Sequence, residues 1–212
     1  MRELPILFSG AMVRAILDGH KTQTRRPIKG FALDLLQPGN FTAEFVALPE
    51  NGNSPYGYAG DHLWVKETFV AFGRWETRYS DKKKRNEWRF VDLTLEAGFS
   101  YRFDGADPDA RRCAGAAPTW RRRPSIFMPC AASRITLEVT GVRVERLQDI
   151  TEADAIAEGV TIEDRHKIGY CSGATRPPSI RAYAELWDSL NAARGYPWDV
   201  NPWVWVIEFK RI

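Results

Sequence analysis

The stretch "GHKTQTRRP", which starts at Gly19, sets Lys21, Thr24, Arg25 and Arg26 within a few positions of one another, directly after a short apolar run. A lysine acts as a base only when burial or a neighbouring cation depresses its pKa, and His20, Arg25 and Arg26 make this neighbourhood electropositive. A threonine hydroxyl attacks a carbonyl only with a base in hydrogen-bond reach. In a flat strand, positions 21 and 24 point to opposite faces, so the chain has to bend for the two to meet. By residue type alone the stretch is either a Lys/Thr site or a solvated turn between a helix and a strand.

Glu158 is the second candidate. It falls in the last turn of a short helix, just before Gly159. A carboxylate there meets the negative end of the helix dipole, at a cost of ~0.3–1 kcal/mol. That placement is expected if a cation waits nearby, and equally of an exposed acid at a fraying end. Glu67 alternates with Leu63 and Val65 along "GDHLWVKETF", so it points to an apolar face and needs a partner such as Lys21, Arg134 or a hydroxyl. Trp64, on the opposite face, is either a core residue or a surface for stacking a base. The run Arg121 to Arg123 tracks a phosphate backbone or solvates a loop.

These side chains need a frame. "AMVRAILDG" has apolar residues at helical spacing and stops at Gly19, and Arg26 is pushed to extended backbone by Pro27. "PILFSG" (Pro5–Gly10) reads as a short buried strand leading into a helix, and most of residues 28–59, rich in Gly, Pro and Asn, reads as loop. Strands are expected at "GDHLWVKETF", at Trp88–Leu93 and at Phe99–Phe103. Two more are expected in "SRITLEVTGVRVERL", on either side of Thr140–Gly141, and one at Trp203–Lys210. In "DITEADAIAEGV", Thr151 is a good N-cap with Asp154 three residues on, and Gly159 closes the helix. "SIRAYAELWDSLNAARG" gives a longer helix with Tyr183, Leu186, Trp187 and Leu190 on one face. The absence of βαβ regularity and of a Gly-rich nucleotide loop points to an α+β protein, a small barrel with helices at its rim and an inserted hairpin region.

The chain has 212 residues and a net charge of +3, which permits an anionic partner without demanding one. Basic clusters stand at Arg25–Arg26, Lys82–Arg85, Arg111–Arg112 and Arg121–Arg123. Cys113, Cys130 and Cys171 lack CxxC spacing, and three cysteines cannot all pair, so a reduced, cytoplasmic protein is expected. No metal-ligand spacing, no cofactor motif and no membrane-length apolar run is present in the sequence.

Taken in this order, "PILFSGAMVRAILDGHKTQTRRP", "GDHLWVKETF", "ASRITLEVTGVRVERLQDITEADAIAEGV" and "WVWVIEFKRI" resemble the ASCH domain family, of the PUA-like superfamily, in the longer form seen in phages and prophages. The resemblance covers roughly residues 1–27, 59–72 and 124–212. It implies a single domain over 1–212 with insertions at 28–58 and 73–123, and a small PUA-like β-barrel with a cleft beside it. It further implies that the cleft takes RNA or a nucleoside-like ligand. Some family members are metal-independent amidohydrolases that deacetylate N4-acetylcytidine. Carried over to this chain, the family's machinery falls on Lys21 and Thr24 of "GHKTQT" and, by position, on Glu158, with Arg25, Arg26, Trp64, Glu67 and Arg134 as ligand-binding candidates. The chain departs from the longer members at Phe127, Cys130 and Ala131, where a His and basic or Trp residues are expected. The competing readings are a non-catalytic RNA-binding module and a phage assembly or interaction protein.

Overall fold

The computed structural model describes residues 1–105, 117–168 and 176–212. Arg111, Arg112, Cys113 and Cys171 therefore lie outside the described residues. In chain order the elements are β1 (Glu3–Leu7), α1 (Gly10–Leu17), β2 (Gln23–Pro27), α2 (Phe31–Leu35), α3 (Ala43–Ala47), β3 (His62–Lys66), β4 (Phe69–Ser80), β5 (Arg85–Asp92) and β6 (Thr119–Arg123). They continue with β7 (Thr136–Arg146), α4 (Glu152–Ala157), α5 (Ile162–Ile168), α6 (Pro178–Asn191) and β8 (Trp203–Arg211). The protein is α+β. It forms two compact units, one of residues 1–6, 11–64 and 135–212, the other of residues 7–10 and 65–134.

The first unit is built on a five-stranded sheet in the order β1-β3-β7-β8-β2. β8 lies between β7 and β2 and pairs antiparallel with both. Its burial explains its apolar run: Val204, Trp205, Val206, Ile207 and Phe209 are all buried. On one face of the sheet Val204 and Val206 pack with Ala155, Ile180, Tyr183 and Trp187 of α4 and α6. Directly paired residues share a face, so Arg25, opposite Val206, lies on that helix-covered side, whereas Thr24 and Arg26, opposite Ile207 and Trp205, lie on the other.

The turn out of α1 is made at Gly19, ahead of both Lys21 and Thr24. Its φ of +76° takes the chain out of α1 in the left-handed conformation, and the amides of His20 and Lys21 both donate to the carbonyl of Ala15, at 2.8 and 3.0 Å. Thr22 then donates to Ala157 at 2.9 Å, which ties the start of β2 to the end of α4. At the other end of α4, Thr151 and Asp154 form the expected capping box.

Several expectations are corrected. Most of residues 28–59 is loop, as expected, but the stretch also contains the short helices α2 and α3, the latter capped by Thr42 accepting from the Phe45 amide. Thr140–Gly141 is not a turn between two strands. It is a β-bulge within one strand, with the register against β8 shifting between Val139 and Gly141. The first strand spans Glu3–Leu7 rather than Pro5–Gly10, and within it only Ile6 is buried. α5, over residues 162–168, was not expected; it has no buried residue and so no apolar stripe to announce it.

The second unit carries a three-stranded sheet in the order β5-β4-β6. β4 and β5 form the expected hairpin, with Ser80 opposite Arg85. Phe69, Ala71, Met128 and Ala132 make its core. Phe99–Phe103 is not a strand: it touches β4 through a single bridge, Arg102 to Val70, and Phe99 packs edge-on against Phe72 at 5.0 Å. Glu67 is buried and accepts from Arg134 Nε and Nη2, at 2.8 and 3.0 Å.

Candidate functional site

Lys21 leaves the Gly19 bend with its side chain fully enclosed. Its Nζ donates to the Gln23 carbonyl and the Glu158 carbonyl, both at 2.8 Å, and to Glu158 Oε2 at 2.6 Å. Three acceptors match the three protons of an ammonium. Glu158 is the C-cap residue of α4, so the cation anticipated at that helix end is Lys21. Gly159 makes the approach possible. With φ +97°, a Cβ on it would lie 3.3 Å from the Ala15 Cβ and 3.4 Å from the Lys21 Cβ.

The other Glu158 oxygen, Oε1, accepts from Arg25 Nη1 and from the Tyr183 hydroxyl, each at 3.4 Å. Arg25 is itself enclosed and binds Glu145 at 2.5 Å and Asp154 at 3.3 Å. Arg143 extends the network to Glu145, Asp154 and Glu208. Charges buried as deeply as those of Lys21, Arg25 and Glu158 persist only when paired and hydrogen-bonded, and these are.

Burial pushes the Lys21 ammonium below the usual lysine range; the charge and hydrogen bond of Glu158 oppose that, while Arg26 and Arg25 add to it. Burial likewise raises the Tyr183 phenol well above its ordinary value, with Glu158 pushing the same way. Burial lowers Arg26, against the opposing pull of Tyr56 and Glu158.

Arg26 links this network to a cavity of about 510 Å³ on the opposite side of β2 from Arg25. Arg26, Lys29 and Arg194 bring three cations to its walls, and Tyr56, Tyr196 and Trp205 bring aromatic rings. Among the described residues no acid lines it. The volume lies in the ordinary range for a small-molecule site. Asn53 and Asn191 add amide donors and acceptors.

Of the residues singled out from the sequence, Lys21, Arg25 and Glu158 come into direct contact, and Arg26 adjoins them. Thr24 is buried, on the same face of β2 as Arg26. Trp64 stands on β3 opposite Thr136, half-buried, with β7 and β8 between its strand and β2. Glu67 and Arg134 belong to the second unit and pair with each other. The sequence reading passed over Tyr183 as a helix-face residue and over Lys29 and Tyr56 as loop. Nothing local marks them, because their roles arise from contacts across the fold. Among the described residues no group of His, Cys, Asp or Glu could hold a metal ion, and no helix is long and apolar enough to cross a membrane.

An α+β chain with a buried Lys–Glu–Arg network behind a cationic, aromatic cavity is the class of protein that fold and site define. No protein-family model and no curated protein matches the chain. Among solved structures it is similar to the crystal structure of an ASCH domain from Lactobacillus crispatus JV V101, at 11% identity and a TM-score of 0.41, over 99% of this chain and 79% of that one.

Proposed function

We propose that the protein binds a nucleoside-like ligand, free or as part of RNA, in the cavity beside β2. The observation that carries this is the lining: aromatic rings for the face of a base, cations for its polar or anionic substituents, and no acid among the described residues. The expected signature in solution is saturable binding of nucleosides or short RNA, measured by calorimetry and weakened by Arg26→Gln and Tyr56→Ala. An absence of binding to every nucleoside and to short RNA would sink the reading.

A second reading adds catalysis, and the depressed pKa of the enclosed Lys21 favours it. In that reading Lys21, as free amine, takes the proton of the Thr24 hydroxyl as its oxygen adds to the carbonyl carbon of an N-acyl base such as N4-acetylcytidine. The tetrahedral intermediate collapses, the carbon–nitrogen bond breaks, and the departing amine takes a proton relayed by Lys21 and Glu158. Water then releases the acid from Thr24. The test is acetate release from N4-acetylcytidine across a range of pH. Undiminished release by Lys21→Met would remove Lys21 as the base. No release by the intact protein would leave the binding module standing alone.

A further inference from the structure

We infer that the cavity beside β2 is built for a ligand that carries a phosphate group, held at the rim by Lys29 and Arg194. The inference rests on the nucleoside reading and narrows it to the phosphorylated or polymeric forms.

Two sets of cations within one unit differ in their surroundings. In the network around Lys21 each cation faces a carboxylate: Lys21 meets Glu158, Arg25 meets Glu145, and Arg143 meets Asp154. In the cavity, cations gather with no acid among the described lining residues. Arg194 stands close enough that its charge works against that of Arg26. Like charges drawn together around a hollow cost free energy until an anion enters, and a phosphate offers several acceptor oxygens to such a cluster.

The cations are also held in place. Lys29 lies two residues beyond the end of β2, and its ammonium lies 5.0 Å from the centre of the Tyr196 ring. The Tyr196 carbonyl accepts from Trp187 Nε1 at 2.7 Å and its amide donates to the Asn191 carbonyl at 3.2 Å, so the Tyr196 backbone is anchored to the end of α6. Arg194 ends the tight turn Ala192–Arg194, which Gly195 closes at φ +86°. The backbone thus fixes where these two charges start from, and each side chain remains exposed to meet a ligand from solvent.

The experiment compares the four ribonucleosides with their 5′- and 3′-monophosphates and with a dinucleoside monophosphate, by calorimetry at low salt. A phosphate is expected to tighten binding about tenfold or more, and that advantage is expected to shrink several-fold in Lys29→Gln and in Arg194→Gln, with a reduced salt slope. Both residues are exposed, and thermal melting checks that the variants fold. Monophosphates binding better than the dinucleotide identify a mononucleotide as the source; equal binding identifies the RNA backbone; either outcome supports the inference. Nucleosides binding as tightly as their phosphates would overturn the phosphate subsite while leaving the nucleoside reading intact. If no member of the panel binds, the nucleoside reading fails and the subsite falls with it.

Discussion

Lys21 holds Glu158 twice, through the carboxylate at 2.6 Å and through the main-chain carbonyl at 2.8 Å. The same ammonium is therefore both a buried ion-pair partner and a cap on the last turn of α4. Lys21→Met removes both roles and leaves an enclosed carboxylate. Its expected cost is about 3–5 kcal/mol of folding stability, read by urea denaturation. Adding Glu158→Leu to that variant should cost far less than the two single changes summed, since both charges are then gone. Additive losses would contradict the pairing.

Gly159→Ala tests the close approach behind that pair. The left-handed backbone and the contacts a Cβ would make with Ala15 and Lys21 predict a loss of about 1–3 kcal/mol. Gly19→Ala should cost about 1–2 kcal/mol, from backbone conformation alone, because nothing lies within 4 Å of its Cβ position. Chemical unfolding of the two variants side by side distinguishes strain from strain plus crowding.

Asp154 sets a pH dependence. Burial by itself would raise its pKa, but the hydroxyl and amide of Thr151, together with Arg25, outweigh that and hold the carboxyl at about 2. A carboxyl whose folded-state pKa is depressed adds stability above its unfolded value, near 3.8, and that stability is lost as the pH falls from there through about 2. The acid limb of stability against pH should therefore be shallower in Asp154→Asn over that window. In Thr151→Ala, NMR titration should find the Asp154 carboxyl shifted upward.

In the second unit, Arg134→Met strands the buried Glu67. About 2–4 kcal/mol is expected to be lost, with more than half regained when Glu67→Leu is added. No recovery in the double variant would mean that Arg134 stabilises through Phe103, which its guanidinium covers at 4.3 Å, rather than through Glu67.

What was legible in the sequence was local. The Thr151–Asp154 capping box, the stops at Gly19 and Gly159 and the apolar face of α6 each depend on residues a few positions apart, and each is present. The placement of Glu158 at the wrong end of a dipole was a local anomaly, and it pointed to a cation 137 residues away. The cavity was not legible, because its walls come from β2, α2, the stretch between α3 and β3, the end of α6 and β8. Turn-like composition at Thr140–Gly141 looks the same whether the chain reverses or merely bulges, and only the partner strand decides.

That bulge has a consequence for the whole polar network. Upstream of Thr140 the odd-numbered Leu137 and Val139 are buried; downstream the even-numbered Val144 takes the inner position. One additional residue thus acts on β7 as an inserted letter acts on a reading frame. It throws Arg143 and Glu145 out of phase with the core and turns them toward Arg25 and Asp154. Were Thr140 drawn into a regular ladder with the bulge lost, every later residue of β7 would change faces, and Val144 would replace Glu145 among those charges. The electrostatics around Lys21 thus depend on a count of residues as well as on their identity.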